Sequence, residues 1–377
     1  MSLAPAALLT ARLSALRARL GAVDLTALLV TRAANIFYLS NFRGSAGALL
    51  VSPMGEALIV DARYTTAARR LCETGAAPEE MTVIPVGSSY EETMCTTLRR
   101  SGLARAGIES TNMTLARHDW LEQALGGSGF TLERTSGLVE AIRVTKDQYE
   151  LALLKEAGHR VSGVMSEILS QLRAGKRERE VAADIDWAVR HAGFDGLAFD
   201  TIVAAGSNTA LPHARPGSRA LTAGDLVLLD FGGVYNGYCV DMTRVVSLGE
   251  PESVAVKWHE AVCESHAAAL MAVKPGVKAS DVDGAARAVF DHLGLGAAFV
   301  HGTGHGLGIE VHEAPRVGKR RLGADPEDVR LEAGMVFTVE PGVYLPGAGG
   351  VRLEDDLVVT AGGYELLTDV PLDLVVV

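Results

Sequence analysis

Asp230 and Asp241 stand in two apolar runs, Val227-Leu228-Leu229-Asp230-Phe231-Gly232 and Tyr238-Cys239-Val240-Asp241-Met242-Thr243-Arg244, on either side of Asn236-Gly237. Asn-Gly is the strongest short signal for a two-residue hairpin. With Asn236 and Gly237 as the turn, Tyr235 pairs with Tyr238 and Asp230 faces Thr243, so Asp241 becomes the diagonal neighbour of Asp230 on one face. Diagonal partners are roughly 7–8 Å apart, close enough for two carboxylates to converge on one or two cations. Their neighbours are apolar, and a buried pair of like charges without a counter-ion is costly. For this pair taken alone, the alternative is a solvent-exposed strand face.

Three histidines follow among glycines: His301 and His305 in His301-Gly302-Thr303-Gly304-His305-Gly306-Leu307-Gly308, and His312 in His312-Glu313-Ala314-Pro315. Glycines let a backbone pass close to a site. A dinucleotide loop does not fit, because no strand-to-helix transition carries these glycines. His312-Glu313 does not open a zinc-binding helix either, because Pro315 interrupts it and no second histidine follows. Further on, Glu340 closes a strand expected over 335–340. Arg352 and Glu354 share one face of the segment leading to a strand over 357–360, and Asp355, on the other face, reads as a surface aspartate. Asp230, Asp241, His305, Glu340 and Glu354 together offer four carboxylates and one imidazole. Four negative charges match two divalent cations, and an oxygen-rich set with one imidazole suits manganese, with cobalt, iron or zinc as alternatives.

These residues need a scaffold, and the chain supplies elements of two kinds. At 377 residues it exceeds one ordinary core, so two domains are expected. The first part alternates: strands over 25–30, 48–52, 57–60, 81–86 and 106–109, helices over 62–74 and 91–101, and a glycine-rich loop at 125–129. No ionisable residues with ligand-like spacing cluster there. Leu9, Leu13, Leu16 and Leu20 recur at helical spacing, so the basic N-terminus with Arg12, Arg17 and Arg19 reads as the first helix of a domain, not a transit peptide. The second part opens with helices over 146–172 and 177–191, separated by Gly175, and continues as β-branched strands from 226 with helices over 251–273 and 280–293. The fold class is α+β.

A net charge of -11 argues against nucleic acid as a partner, since phosphate binding needs a basic face. No apolar run approaches the roughly 20 residues that span a bilayer. Cys72, Cys95, Cys239 and Cys263 are scattered, which fits a reducing compartment.

Asp230, the Asp241–Arg244 run, the His301–Gly308 run, His312–Pro315, Glu340-Pro341-Gly342-Val343-Tyr344 and Gly350-Val351-Arg352-Leu353-Glu354-Asp355-Asp356 resemble the pita-bread metallopeptidases. Within that family they are most similar to the Xaa-Pro dipeptidases (prolidases) and Xaa-Pro aminopeptidases. The resemblance implies a smaller α/β domain over 1–137 and a catalytic domain over 138–377, whose curved, mainly antiparallel sheet is backed by helices. It implies that Asp230 and Glu340 each bind one of two metals, that Asp241 and Glu354 bridge them, and that His305 completes one shell. His213, His301 and His312 match outer histidines near the proline ring and the scissile carbonyl, and Tyr344 and Arg352 match groups that support the ligands. The implied reaction is hydrolysis of the Xaa-Pro bond by a hydroxide held between the metals, with Glu340 handling the proton and His312 donating to the oxyanion. A dipeptidase also needs a cation for the substrate carboxylate, for which Arg352 and Arg43 are the candidates. The competing readings are an aminopeptidase acting on longer peptides and a non-catalytic binding protein of the same fold. The family further implies a cytoplasmic homodimer acting on small peptides, with no nucleic-acid or membrane partner.

Overall fold

Asn236 adopts φ 48° and Gly237 φ 85°, the two positive values that a two-residue primed turn requires. The strands Leu226–Tyr235 and Tyr238–Ser247 zip up from this turn in the expected register: Tyr238 opposite Tyr235, Asp241 opposite Gly232, Thr243 opposite Asp230. Both aspartates are buried. The computed structural model describes residues 2–320 and 328–377, and the hairpin lies in the second of two units, Met1–Arg143 and Val144–Val377.

The first unit is built on a six-stranded sheet in the order Thr82–Pro85, Gly55–Val60, Ala48–Ser52, Leu28–Val30, Arg105–Glu109, Thr131–Thr135. Leu29, Leu50, Ile59, Met94, Leu98, Ile108 and Leu121 form its core. The helix Ala6–Ala22 buries Leu9, Leu13, Leu16 and Leu20, the periodic positions. The helix Ala33–Ser40 buries every residue from Asn35 onward. Such a segment shows no amphipathic stripe, so periodicity cannot flag it. The unit extends past position 137 because the short helix Glu140–Arg143 is tied back into it. Arg143 Nη1 donates to Asn35 Oδ1 (2.6 Å), and Asn35 Nδ2 donates to Glu140 Oε1 (2.9 Å).

In the second unit the hairpin belongs to one sheet, in the order Val375–Val376, Tyr238–Ser247, Leu226–Tyr235, Gly196–Leu197, with Ile202–Ala205 also paired to Leu226–Tyr235. A second sheet runs Glu313–Val317, Gly304–Gly306, Val336–Val339, Asp355–Thr360, Gly363–Leu366, and a separate ribbon pairs Gly342–Leu345 with Gly349–Arg352. All these pairings are antiparallel except that of the C-terminal strand. The helix Gln148–Gln171, started by an Asp147/Glu150 capping box, and the helix Glu178–His191 cover the hairpin sheet through Val161, Met165, Ile185 and Val189. The helices Ser253–Ala272 and Ala279–His292 cover the other sheet through Val262, Ala269, Val282 and Phe290.

The two sheets meet along the outer edge of the Asp241 strand. Glu354 N–H donates to Thr243 O (3.1 Å), and Asp241 N–H donates to Asp356 Oδ2 (2.9 Å). Asp355, expected at the surface, is 2% exposed. It does point away from Glu354, as alternation requires, but helix Ser253–Ala272 covers that side. Asp355 Oδ1 accepts from Arg244 Nη2 (2.6 Å) and Thr368 Oγ1 (2.7 Å), and His266 Nε2 stands 3.3 Å from its other oxygen. Burial opposes ionisation here, but the hydrogen bonds and charges of His266 and Arg244 win and hold the carboxyl below its usual range.

Candidate metal centre

Each candidate ligand arrives from a different stretch of backbone. Asp230 and Asp241 come from the hairpin, His305 from the short strand Gly304–Gly306, Glu340 from the end of Val336–Val339, and Glu354 from the start of Asp355–Thr360. Ligand atoms of Asp241, His305 and Glu354 lie within 4.8 Å of one another. His305 Nε2 stands 3.9 Å from Asp241 Oδ2 and 3.7 Å from Glu340 Oε1. Donors each about 2.1 Å from a shared ion stand about 3–4 Å apart, so these three are spaced as ligands. All five residues line one cavity of about 950 Å³, together with His213, His301, His312 and Arg352.

The electrostatics call for positive charge at these carboxyls, either bound cations or protons. Burial, and then Glu354 and Asp230, lift the Asp241 carboxyl well above its ordinary range. Burial, and then Glu354, do the same for Glu340. Glu354 is pushed up to about 8 by burial and then by Asp230. Burial raises Asp230 against the pull of Arg352. Asp241 Oδ1 is buried and has no hydrogen-bond partner among the described residues, an arrangement that costs free energy unless something positive sits there. Oxygen donors with one imidazole suit divalent ions, so the residues fit the group.

Metal removal gives a signed prediction. Without cations Glu354 holds its proton up to about pH 8 in the folded chain but only to its ordinary value when unfolded. The folded state then binds more protons, so its stability falls as pH rises through that window. Chelation is therefore expected to lower Tm more at about pH 8 than at about pH 5.5, because protons partly replace the metal at the lower pH. Scanning fluorimetry with and without chelator checks this, and equal losses at both pH values would contradict it.

The histidines divide by their hydrogen bonds. A carbonyl only accepts, so His305 Nδ1 donates to Gly306 O (3.1 Å). That leaves the Nε2 lone pair facing Asp241 and Glu340, which is the tautomer a metal ligand needs. His301 Nδ1 likewise donates to Gly302 O (2.7 Å), so its Nε2 accepts from Tyr344 Oη (2.8 Å). Tyr344 in turn accepts from Arg352 Nη1 (2.8 Å). Burial holds both His301 and His305 down to about 4, keeping them neutral. His213 and His312 are exposed to the cavity. The His312 ring centroid lies 4.3 Å from that of His305, and burial followed by the nearby His213 lowers its pKa.

Arg352 is committed to the protein. Besides Tyr344, it donates to Asp230 through Nη2, to Pro212 O (3.2 Å) and to Thr243 Oγ1 (3.3 Å). These bonds engage four of its five N–H donors and orient the Asp230 carboxylate. Arg43 belongs to the first unit, with its guanidinium carbon 4.5 Å over the Phe37 ring. The first unit also holds His118, Asp119 and Glu122, with ligand atoms within 4.8 Å, a grouping that sequence spacing did not single out. Both carboxylates are exposed.

Several supporting residues escaped the sequence reading. Asp283 accepts from Thr303 N (3.0 Å) and Oγ1 (2.9 Å), while Thr303 O accepts from Glu340 N (2.7 Å). Arg287, one turn after Asp283, ion-pairs with it and donates to Phe299 O (3.2 Å) and His301 O. The Asp-x3-Arg spacing was the available signal. Thr338 Oγ1 accepts from His305 N (3.2 Å), and Thr338 faces Asp356 across the sheet. The glycines serve strand contact, since a Cβ on Gly304 would lie 1.8 Å from Thr338 O.

Comparison with known proteins follows the same division of the chain. Residues 152–361 match metallopeptidase family M24, and residues 12–145 match the creatinase/prolidase N-terminal domain. The chain is 35% identical to an uncharacterized peptidase of Bacillus subtilis, YqhT, over 97% of this chain and 99% of that one. An Xaa-Pro dipeptidase from Bacillus anthracis superposes with TM-score 0.91 at 32% identity, covering 98% of this chain and 100% of that one. An X-Pro aminopeptidase from Thermotoga maritima superposes with TM-score 0.84 at 34% identity, covering 93% and 97%.

Proposed function

This chain belongs to metallopeptidase family M24, with the pita-bread fold, and from that premise we propose that it hydrolyses Xaa-Pro dipeptides using two divalent cations. Asp230, Asp241, His305, Glu340 and Glu354 would hold them, with manganese as the best fit and cobalt, zinc or iron as alternatives. The convergence of Asp241, His305 and Glu354 within 4.8 Å carries this reading. When bound, such a pair of cations polarises the scissile carbonyl and makes water nucleophilic near neutral pH.

The chain's own groups do the rest. Glu340, its carboxyl raised by burial and by Glu354, takes a proton from the attacking water and returns it to the proline nitrogen as the C–N bond breaks. His312, exposed beside His305, donates an N–H to the carbonyl oxygen as it gains negative charge. An Xaa-Pro bond has no N–H, so selection must come from the shape around the ring. His213 and His301 supply that wall, His301 with its ring fixed by Gly302 and Tyr344. Four cysteines without a disulfide suit a reducing compartment, and the cytoplasm is the proposed location.

The carboxylate of a dipeptide needs a cation, and Arg316, whose Nη1 also donates to Lys319 O (2.8 Å), is the candidate nearest in register to His305. It pairs with His305 across the sheet, so the two side chains share a face. Its side chain is exposed and lines the cavity, as do Arg215 and Lys319. Arg316→Ala is expected to raise KM for Xaa-Pro by about tenfold or more, as loss of a charge-assisted hydrogen bond implies, and to leave an Xaa-Pro amide nearly unchanged. Steady-state kinetics on the two substrates check this. Equal effects, or efficient cleavage of Xaa-Pro-Yaa by the unmodified enzyme, would favour the aminopeptidase reading.

A further inference from the structure

We infer that Glu178 is a positioning residue that fixes the substrate-facing loop by fastening both of its ends; what the loop contributes to catalysis rests on the Xaa-Pro reading above. Glu178 opens the helix Glu178–His191 and is 1% exposed. Its two oxygens are divided between the two stems of the loop 205–217. Oε1 accepts from Ala205 N (2.9 Å) and Asn208 Nδ2 (2.8 Å), at the first stem. Oε2 accepts from Gly217 N (3.0 Å), at the second. The helix start adds backbone bonds to the second stem, from Glu178 N to Arg219 O (3.0 Å) and from Arg179 N to Gly217 O (3.2 Å).

Between these stems Pro212, His213, Arg215 and Pro216 line the cavity. The loop's centre is held separately, by Arg352 donating to Pro212 O (3.2 Å). Arg352 also holds Asp230, so the loop is registered to the metal centre at its middle and to the helix at its ends. Loops that carry binding residues depend on such anchorage to a rigid element. A carboxylate is suited to the task because both of its oxygens accept and neither donates. Glutamine has the same shape but one acceptor. Whichever way its amide turns, one stem faces a donor with a donor, and a buried N–H loses its partner.

Hydrogen–deuterium exchange on metal-loaded Glu178→Gln, read beside metal content and kinetics, tests the inference. Peptides spanning 205–217 are expected to exchange about tenfold faster or more, the loss of one hydrogen bond to a charged group, while the hairpin 226–247 keeps its protection. Metal content is expected to stay at the unmodified level. KM for Xaa-Pro should rise by about tenfold, with kcat changed by less than about threefold, because the reacting groups stay in place. Asn208→Ala, which removes one of the three donors, is expected to move the same peptides in the same direction by less. Unchanged exchange at 205–217 would overturn the inference. So would exchange that rises equally in the hairpin, or loss of metal in parallel, since either marks a general structural role. If the unmodified protein fails to cleave Xaa-Pro, the substrate reading falls, and the exchange arm still decides whether Glu178 holds the loop.

Discussion

Replacing Glu354 by glutamine is expected to lower kcat by about a thousandfold or more, since a metal pair supplies several kcal/mol to the transition state and each ~1.4 kcal/mol is tenfold. It should also lower the bound metal, measured by elemental analysis, from two ions toward one. The carboxylate is placed to touch two partners at once. Glu354 is 2% exposed, its ligand atom groups with those of Asp241 and His305, and Thr243 Oγ1 donates to its Oε2 (2.5 Å). An amide at this position keeps the shape and the Thr243 contact but removes the charge and one acceptor. In the chelated protein the sign reverses. Burial and Asp230 push the Glu354 carboxyl up to about 8, so the neutral side chain relieves a buried conflict and should raise Tm relative to chelated unmodified protein. Full metal content with full activity in Glu354→Gln would remove Glu354 from the site.

His312→Ala should reduce kcat by about a hundredfold or more, in line with the ~3–4 kcal/mol attributed to an oxyanion donor, with metal content unchanged. The argument is positional. His312 reaches the cavity beside His305, 4.3 Å between ring centroids, yet it is His305 whose Nε2 faces the carboxylates. A donor that acts on charge developing at the carbonyl oxygen changes the turnover number and leaves KM nearly alone. Elemental analysis beside steady-state kinetics separates the roles. If the variant loses metal in proportion to activity, His312 is a ligand and the assignment of His305 must be revised.

How far the site could be read beforehand depended on the range of the interaction that settles each residue. The relation of Asp230 to Asp241 was legible because a two-residue turn dictates the register of every pair above it, and the observed pairing of Thr243 with Asp230 follows. Which of three histidines faces the carboxylates was not legible from spacing. It is decided by the bond from His305 Nδ1 to Gly306 O and by the path of Gly304–Gly306 beside Thr338. Asp355 was misread because alternation assigns a side chain to a face but not what covers that face. Here it is covered by helix Ser253–Ala272 with His266. Arg352 was left with two roles because its commitment to Asp230, Tyr344, Thr243 and Pro212 joins four separate segments.

The sequence by itself determined the hairpin, the faces on which Asp230, Asp241 and Glu354 lie, and a ligand set whose charge asks for divalent cations. Those follow from periods of two residues, turn chemistry and charge, all of which act within a few positions along the chain. Only the tertiary structure decided that the Asp241 edge and the Glu354 edge meet, joined by Glu354 N–H to Thr243 O and Asp241 N–H to Asp356. The same folding places Glu178 between stems that lie 27 and 39 positions away. Contacts at such separations are set by the packing of whole elements, and no local pattern encodes which of several compatible faces will be brought together.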